Sequence, residues 1–248
     1  MILILGGTSD SIIIANNINK TYKNVVFSTA TKYGKELASK KYSGKIIYGK
    51  KDKNELYNFC RSEKINIIID ATHPYANLVS KNAIKVSKEL NICYIRYERP
   101  VVVKEDERYI YCDSYKEAGQ IINNLEGNAL LTTGSKDIEN ILNEINNKDR
   151  AYIRVLPMSN VIAKLEELHI LPDQIIAMKG PFSKEFNKAL MERIQCKILV
   201  TKESGSQGKT IEKIEAANEC NAKVIVIRRP IIEYPKVMDN IEELMEEL

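Results

Sequence analysis

The 248-residue chain has few of the residues that build disulfide frameworks and metal centres. Its five cysteines are far apart, none forms a C-x-x-C pair, and there are only two histidines. A structural zinc site needs four closely spaced ligands, and a disulfide framework needs regularly spaced cysteines. We therefore predict neither a metal site nor disulfide bonds.

The chain also lacks a long apolar run and a block of one charge. The opening MILIL is five residues long and follows no basic segment, whereas a bilayer span needs about 20 apolar residues. The net charge is +4 and the lysines are scattered, which argues against a nucleic-acid partner and suits an anionic small molecule. These features predict a cytoplasmic protein without a membrane or nucleic-acid partner.

Apolar runs alternate with helical patterns along most of the chain. This alternation predicts an α/β fold with two Rossmann-like lobes of parallel strands, residues 1–98 and 99–248, and a ligand cleft between the lobes. The passage after Pro100 is interpreted as a linker or a crossover strand. The predicted strands are 2–5, 24–27, 45–48, 65–70 and 92–96 in the first lobe, and 128–134, 151–156, 174–180, 197–205 and 223–230 in the second.

The first strand is followed by two glycines and three small polar residues, Gly6, Gly7, Thr8, Ser9 and Asp10. Glycines allow close approach of the backbone, and the start of the next helix attracts phosphate. The full G-x-G-x-x-G fingerprint is absent, so a plain turn with Ser9 or Asp10 as the helix cap remains the alternative to a dinucleotide site.

The second strand ends without an acidic residue that would bind a ribose 2′-hydroxyl. Ser28, Thr29 and Lys32 stand there instead, which favours a 2′-phosphate and hence NADP.

The fourth strand ends in DATHPYA, where His73 and Tyr75 are candidates to orient a substrate or donate a proton. The alternative is that Pro74 begins the next helix and that Thr72 or His73 caps it. The other histidine, His169, lies in a connection between a helix and a strand and is interpreted as structural.

Loops after the strands of the second lobe combine small residues with cations, which suits carboxylates or phosphates. We predict substrate contacts from Thr133, Gly134, Ser135, Lys136, Arg154, Lys179, Lys202, Ser204 and Gly205.

The segments ILILGGTSDS, IDATHPYA, RYERP, LLTTGSKDI, RVLP, MKGPFS and VTKESGSQGKTIEKIEAA occur in this order. Together they resemble the precorrin-6A reductase family over nearly the whole chain. The resemblance implies reduction of a corrin double bond by hydride from NADPH or NADH, with the glycines of the first loop as cofactor contacts. It also implies a tetrapyrrole substrate with several carboxylates, for which Arg96 and Arg99 join the candidate cations.

The proton donor in that reaction would be His73, Tyr75 or solvent. The abundance of Ile, Asn and Lys favours an anaerobic organism, and so a cobalt-containing rather than a metal-free substrate.

Two other functions remain open on the sequence. One is a two-lobed tetrapyrrole lyase or synthase without nicotinamide, as uroporphyrinogen synthase is, and the other is a non-catalytic dinucleotide sensor. For this chain we expect a monomer or a weak homodimer.

Overall fold

The computed structural model describes residues 1–98, 100, 106–203 and 209–248. The strands in chain order are β1 Ile2–Leu5, β2 Val25–Thr29, β3 Lys45–Tyr48, β4 Ile67–Asp70, β5 Cys93–Tyr97, β6 Tyr109–Cys112, β7 Asn128–Leu131, β8 Ala151–Val155, β9 Ile175–Ala177, β10 Cys196–Lys202, β11 Lys223–Ile227 and β12 Val237–Met238. The helices are α1 Ser9–Thr21, α2 Lys32–Ser39, α3 Lys53–Ser62, α4 Asn77–Leu90, α5 Tyr115–Asn123, α6 Ile138–Leu142, α7 Ser159–Glu167, α8 Lys184–Arg193, α9 Thr210–Glu219 and α10 Ile241–Glu246. None of the helices in these ranges is both long and apolar enough to span a bilayer.

The strands form two parallel six-stranded sheets, one in each of two compact units. Unit 1 comprises Met1–Pro100 and Pro230–Leu248, and unit 2 comprises Val101–Arg229. The predicted α/β fold with two parallel sheets is confirmed. The sheet of unit 1 has the order β12-β5-β4-β1-β2-β3, and that of unit 2 has the order β6-β11-β10-β7-β8-β9.

The last 19 residues belong to unit 1, whereas the sequence placed them in the second lobe. Val237 pairs with Arg96 and Met238 with Tyr97, so β12 extends the sheet beside β5. Leu244 of α10 is fully buried in the same core as Ile4, Ile14 and Ile18 of unit 1. Strand pairing and core packing assign this segment to unit 1, whereas its apolar sequence pattern fits either sheet equally well.

The passage between the two sets of predicted strands contains β6, which pairs with β11 at the edge of the second sheet. A strand was one of the two interpretations that the sequence left open there. Each sheet therefore has one more strand than the five predicted, and both extra strands lie at an edge.

Alternating residues of the central strands supply two cores in unit 1. Ile2 and Ile4 of β1 pack on the face that α1 and α10 cover, and Leu3 and Leu5 pack on the face of α3 and α4. Burial of both faces explains why these strands are apolar without interruption. In α4, Ala83 and Val86 are fully buried and Val79 and Leu90 pack against the same core, so residues at helical spacing form its apolar face.

Candidate active site

The strand order of unit 1 places the loops after β1 and β4 side by side. Successive strands run outward from β1 in one direction, to β2 and β3, and then in the other, to β4 and β5. Parallel sheets of this kind bind ligands where the order reverses, at the carboxyl ends of the strands. A hydrogen bond from Thr8 Oγ1 to the carbonyl oxygen of Ala71, 3.0 Å long, joins the two loops at that point.

The two glycines of the first loop have different structural roles. A Cβ on Gly6 would lie 2.3 Å from Cζ of Phe27, so this position is closed to any larger residue by the core. Gly7 has a φ of +125°, its Cβ position is open, and it is exposed. Gly7 therefore presents bare backbone to a ligand in a conformation that other residues rarely adopt.

Thr8 is the N-cap of α1, so the alternative in which Ser9 or Asp10 caps this helix is wrong. Thr8 Oγ1 accepts from the backbone N–H of Ser11, and Ser11 Oγ accepts from the N–H of Thr8 in a reciprocal capping box. Ser9 and Asp10 are instead the first helical residues, where the backbone N–H groups and the helix dipole favour an anion.

The residues predicted at the end of β2 differ in exposure. Ser28 and Thr29 are buried, and Thr29 Oγ1 donates to the carbonyl oxygen of Thr31. Lys32, the first residue of α2, is exposed. Of these three residues, Lys32 is the one that presents a polar group to solvent for a phosphate to contact.

A buried polar network lies beneath the loop after β4. Asp70 and Arg96 are both fully buried, and Arg96 Nη1 lies 2.9 Å from Asp70 Oδ1. The same carboxylate accepts from the Thr72 hydroxyl at 2.6 Å and from the Tyr94 hydroxyl at 2.8 Å. Burial and the neighbouring Asp70 carboxylate raise the pKa of Tyr94, so this phenol stays protonated and donates.

Arg96, which the sequence suggested as a ligand-facing cation, forms an internal ion pair in the structure. Its guanidinium lies over the Tyr234 ring at 5.2 Å, and its Nε is 3.5 Å from Glu98 Oε2. Asp70 and Arg96 are register partners at neighbouring positions of β4 and β5, so their side chains lie on the same face of the sheet, and charge pairing keeps the guanidinium inside. A shallow depression opens above this network, lined by Thr8, Asp10, Thr72, Pro74, Arg96 and Glu98 among others.

The structure contradicts the alternative that Pro74 begins a helix capped by Thr72 or His73. α4 begins at Asn77, and its N-cap residue Ala76 provides no side-chain cap. His73 Nδ1 instead accepts from the backbone N–H of Tyr75 at 3.3 Å, so the neutral imidazole carries its proton on Nε2. His73 is partly exposed, whereas Tyr75 is buried with its ring 5.6 Å from that of His73.

Unit 2 has the same reversal of strand order, here between β7 and β10. Both the backbone N–H and the hydroxyl of Thr132 donate to the carbonyl oxygen of Val200 at 2.9 Å, joining the two strand ends. Gly134 follows with a φ of +79°, and the predicted contact Thr133 is buried. Ser135 is partly exposed and Lys136 is exposed.

Three cations of unit 2 have lowered pKa values; Arg154 and Lys213 are buried, and Lys202 is partly exposed. Burial lowers the pKa of Arg154 to about 10, and its Nη1 donates to Asn187 Oδ1 at 2.7 Å. Burial lowers the pKa of Lys202 to about 8. Burial and repulsion from Arg154 and Lys202 lower the pKa of Lys213 to about 7. Lys179, in contrast, is exposed after β9.

The structure thus places several predicted site residues at the carboxyl ends of the strands in one of the two sheets, and it does not describe others. Arg99, Ser204 and Gly205 lie outside the described residues. The sequence reasoning missed Asp70 as the centre of the polar network, and it missed Lys213. The position of Lys213 between Thr210 and Ala217 on the buried face of α9 was a usable signal, since helical spacing places all three on one side.

Comparison with known proteins gives a full-length match. The profile of the family described as Precorrin-6x reductase CbiJ/CobK matches residues 1–248. Cobalt-precorrin-6A reductase of Methanocaldococcus jannaschii is 39% identical over 98% of this chain and 96% of its own length. The enzyme of the same name from Priestia megaterium is 34% identical over 100% of this chain and 98% of its own. A solved structure of CobK precorrin-6A reductase is 19% identical and superposes with a TM-score of 0.79, covering 99% of this chain and 95% of that one.

Proposed function

Because the chain belongs to the precorrin-6x reductase family, we propose that it reduces one double bond of the macrocycle of cobalt-precorrin-6A. The observation that carries this proposal is the full-length match to the family and to relatives of that name. The reaction adds one hydride and one proton across a carbon–carbon double bond, so the protein must bring a reductant, an acceptor and a proton source together.

The reductant is NADPH or NADH, whose nicotinamide supplies the hydride. The loop from Gly6 to Asp10 fits its pyrophosphate, because Gly7 exposes backbone and the first turn of α1 offers N–H groups at the switch point of the sheet. Lys32 supports NADPH, since it is exposed beside a strand end that has no acidic residue to bind a 2′-hydroxyl.

The negative carboxylates of the macrocycle are complementary in charge to the cations at the carboxyl ends of the strands of unit 2. Lys136 and Lys179 are exposed and can pair with solvent-accessible carboxylates, and Arg154 and Lys202 offer less hydrated charges. Gly134 and Ser135 add backbone and hydroxyl donors in the first of these loops.

His73 is the better of the two candidate proton donors. Its ring is partly exposed and carries the neutral-state proton on Nε2, whereas the Tyr75 side chain is buried. The bond from the Tyr75 N–H to His73 Nδ1 fixes the orientation of the imidazole at the end of β4.

The direct test is an anaerobic assay with purified protein, cobalt-precorrin-6A and either cofactor, following nicotinamide absorbance and the mass of the corrin. We expect cofactor oxidation coupled to a gain of two hydrogens in the corrin. Cofactor binding without corrin reduction would favour a dinucleotide sensor, and no binding of either cofactor would favour a nicotinamide-independent enzyme.

A charge placed at the start of α1 tests the location of the cofactor. Ser9→Asp adds a carboxylate where the pyrophosphate would lie, at an exposed position where acidic residues stabilise a helix. We expect the dissociation constant for NADPH to rise on the order of 10-fold or more from like-charge repulsion, with no loss of thermal stability.

The matched control is Asn54→Asp, which adds the same charge to the exposed first turn of α3 in the same unit. Equal affinities of the two variants, measured by calorimetric titration, would move the cofactor away from the Gly6–Asp10 loop.

A further inference from the structure

Unit 2 buries more positive charge than its described residues neutralise. Lys213 is 7% exposed and Arg154 is 8% exposed. No carboxylate of the described residues lies within salt-bridge distance of Lys213 or of Arg154. A buried ammonium without a counter-charge is costly, and proteins rarely keep one without a use for it.

Strand register brings Arg154 and Thr201 to one face of the sheet. Val200 pairs with Leu131 and Leu131 with Ile153, so Thr201 and Arg154 occupy equivalent positions one residue farther along. Two residues before them, Leu199 and Tyr152 pack in the core formed with α8 and α9. Successive side chains alternate between faces, so Thr201 and Arg154 also point toward those two helices.

The two helices add polar groups to the same place. Asn187 of α8 accepts from Arg154, and Lys213 lies in the first part of α9, one turn after the buried Thr210. Thr201 is fully buried, and its hydroxyl has no hydrogen-bond partner in the described part of the chain. A buried hydroxyl without a partner is a second, independent sign that a polar ligand group belongs here.

We propose that Lys213, Arg154 and Thr201 form an anion subsite in unit 2 that takes one oxyanion group, which is a carboxylate of the macrocycle if the cofactor binds in unit 1 as proposed above and a phosphate if the cofactor binds in unit 2 instead. The identity of the ligand rests on the proposed function, but the existence of the subsite does not. Two cations and a hydroxyl donor match the charge and the acceptor atoms of either group.

Ligand binding at this subsite should depend on pH. The charged groups that act on Lys213 are Arg154 from β8, Lys202 from β10 and Glu212 from its own helix. Because the pKa of Lys213 is lowered to about 7 without ligand, affinity should fall as pH rises above 7 and the ammonium loses its proton. Lys213→Arg keeps the charge at all these pH values and should flatten that profile.

The same shift predicts that Lys213 lowers the stability of the ligand-free protein. The folded-state pKa of about 7 is below the ordinary value of 10.5, so the unfolded chain binds more protons between these values. The penalty is therefore complete below pH 7 and disappears as pH rises toward 10.5. Lys213→Met should raise the thermal midpoint at pH 6 and change it much less at pH 10. If Lys213 had a stabilising structural role, the same substitution would lower the midpoint.

Binding of three probes to Lys213→Met tests the subsite: inorganic phosphate, NADP⁺ and cobalt-precorrin-6A. We expect the affinity for one of the two large ligands, NADP⁺ or cobalt-precorrin-6A, to fall on the order of 10- to 100-fold, which is the effect of losing a charged hydrogen bond. A higher KM for the corrin alone identifies a carboxylate, and a higher dissociation constant for NADP⁺ alone identifies a phosphate.

The control is Lys223→Met, which removes an exposed lysine at the start of β11 in the same unit. Phosphate should raise the thermal midpoint of this control and of the unchanged protein but not of Lys213→Met, a result that is informative even if no corrin is reduced. If Lys213→Met binds all three probes as the control does, the subsite does not exist.

Discussion

Replacing Asp70 by asparagine is expected to lower the free energy of unfolding of unit 1 by about 3–5 kcal/mol. The change keeps the size of the side chain but removes the charge that compensates Arg96, whose guanidinium is fully buried 2.9 Å away. Asp70 also accepts from Thr72 and Tyr94, so a single substitution weakens three contacts at once.

Hydrogen exchange of peptides from unit 1, combined with urea unfolding, measures this loss locally. Asp106→Asn is the control, since Asp106 forms the same type of pair with Arg108 at the surface, where little change is expected. The double change Asp70→Asn with Arg96→Met should recover part of the lost stability, because it no longer leaves a buried charge unpaired. Unfolding of Asp70→Asn at the same urea concentration as the unchanged protein would contradict this view of the network.

The second large effect is expected at the far end of the chain. Leu244→Ala should cost about 2–5 kcal/mol, because Leu244 is fully buried in the core that also contains Ile4, Ile14 and Ile18. The loss should appear in hydrogen exchange of residues 1–98, more than 140 positions earlier in the chain, since α10 packs on the first sheet.

Glu243→Ala changes the neighbouring exposed residue of α10 and serves as the control. A chain ending at residue 229 should show the stronger form of the same effect, with residues 1–98 losing protection together. If neither Leu244→Ala nor the truncation alters the hydrogen-exchange protection of residues 1–98, the division into lobes 1–98 and 99–248 would be correct.

Most strands could be predicted because burial on both faces leaves a local mark. The runs at Ile2–Leu5 and Ile67–Asp70 are almost wholly apolar, and the helix after the latter carries its apolar residues at helical spacing. Edge strands leave a weaker mark, as β12 shows with only Val237 and Met238. Its assignment depends on a partner strand that is distant in sequence.

The candidate site shows the same division. Glycines and small polar residues after β1 are visible in the sequence, and their place at the switch point follows from the strand order. Whether a charged side chain faces a ligand or the interior is not visible in this way. Helical spacing places Lys213 on the same side of α9 as Thr210 and Ala217, but only packing near β8 and β10 makes it a buried cation, as packing against Asp70 does for Arg96.

The sequence by itself determined the α/β class, the two sheets and the position of the glycine loop, because local periodicity and turn chemistry encode them. Tertiary structure alone decided that residues 230–248 complete unit 1 and that Arg96 is neutralised inside it. It also decided that Lys213 is a buried cation of unit 2. These three features depend on contacts between residues far apart in the chain, and side-chain charge acquires its role only when folding fixes which groups surround it.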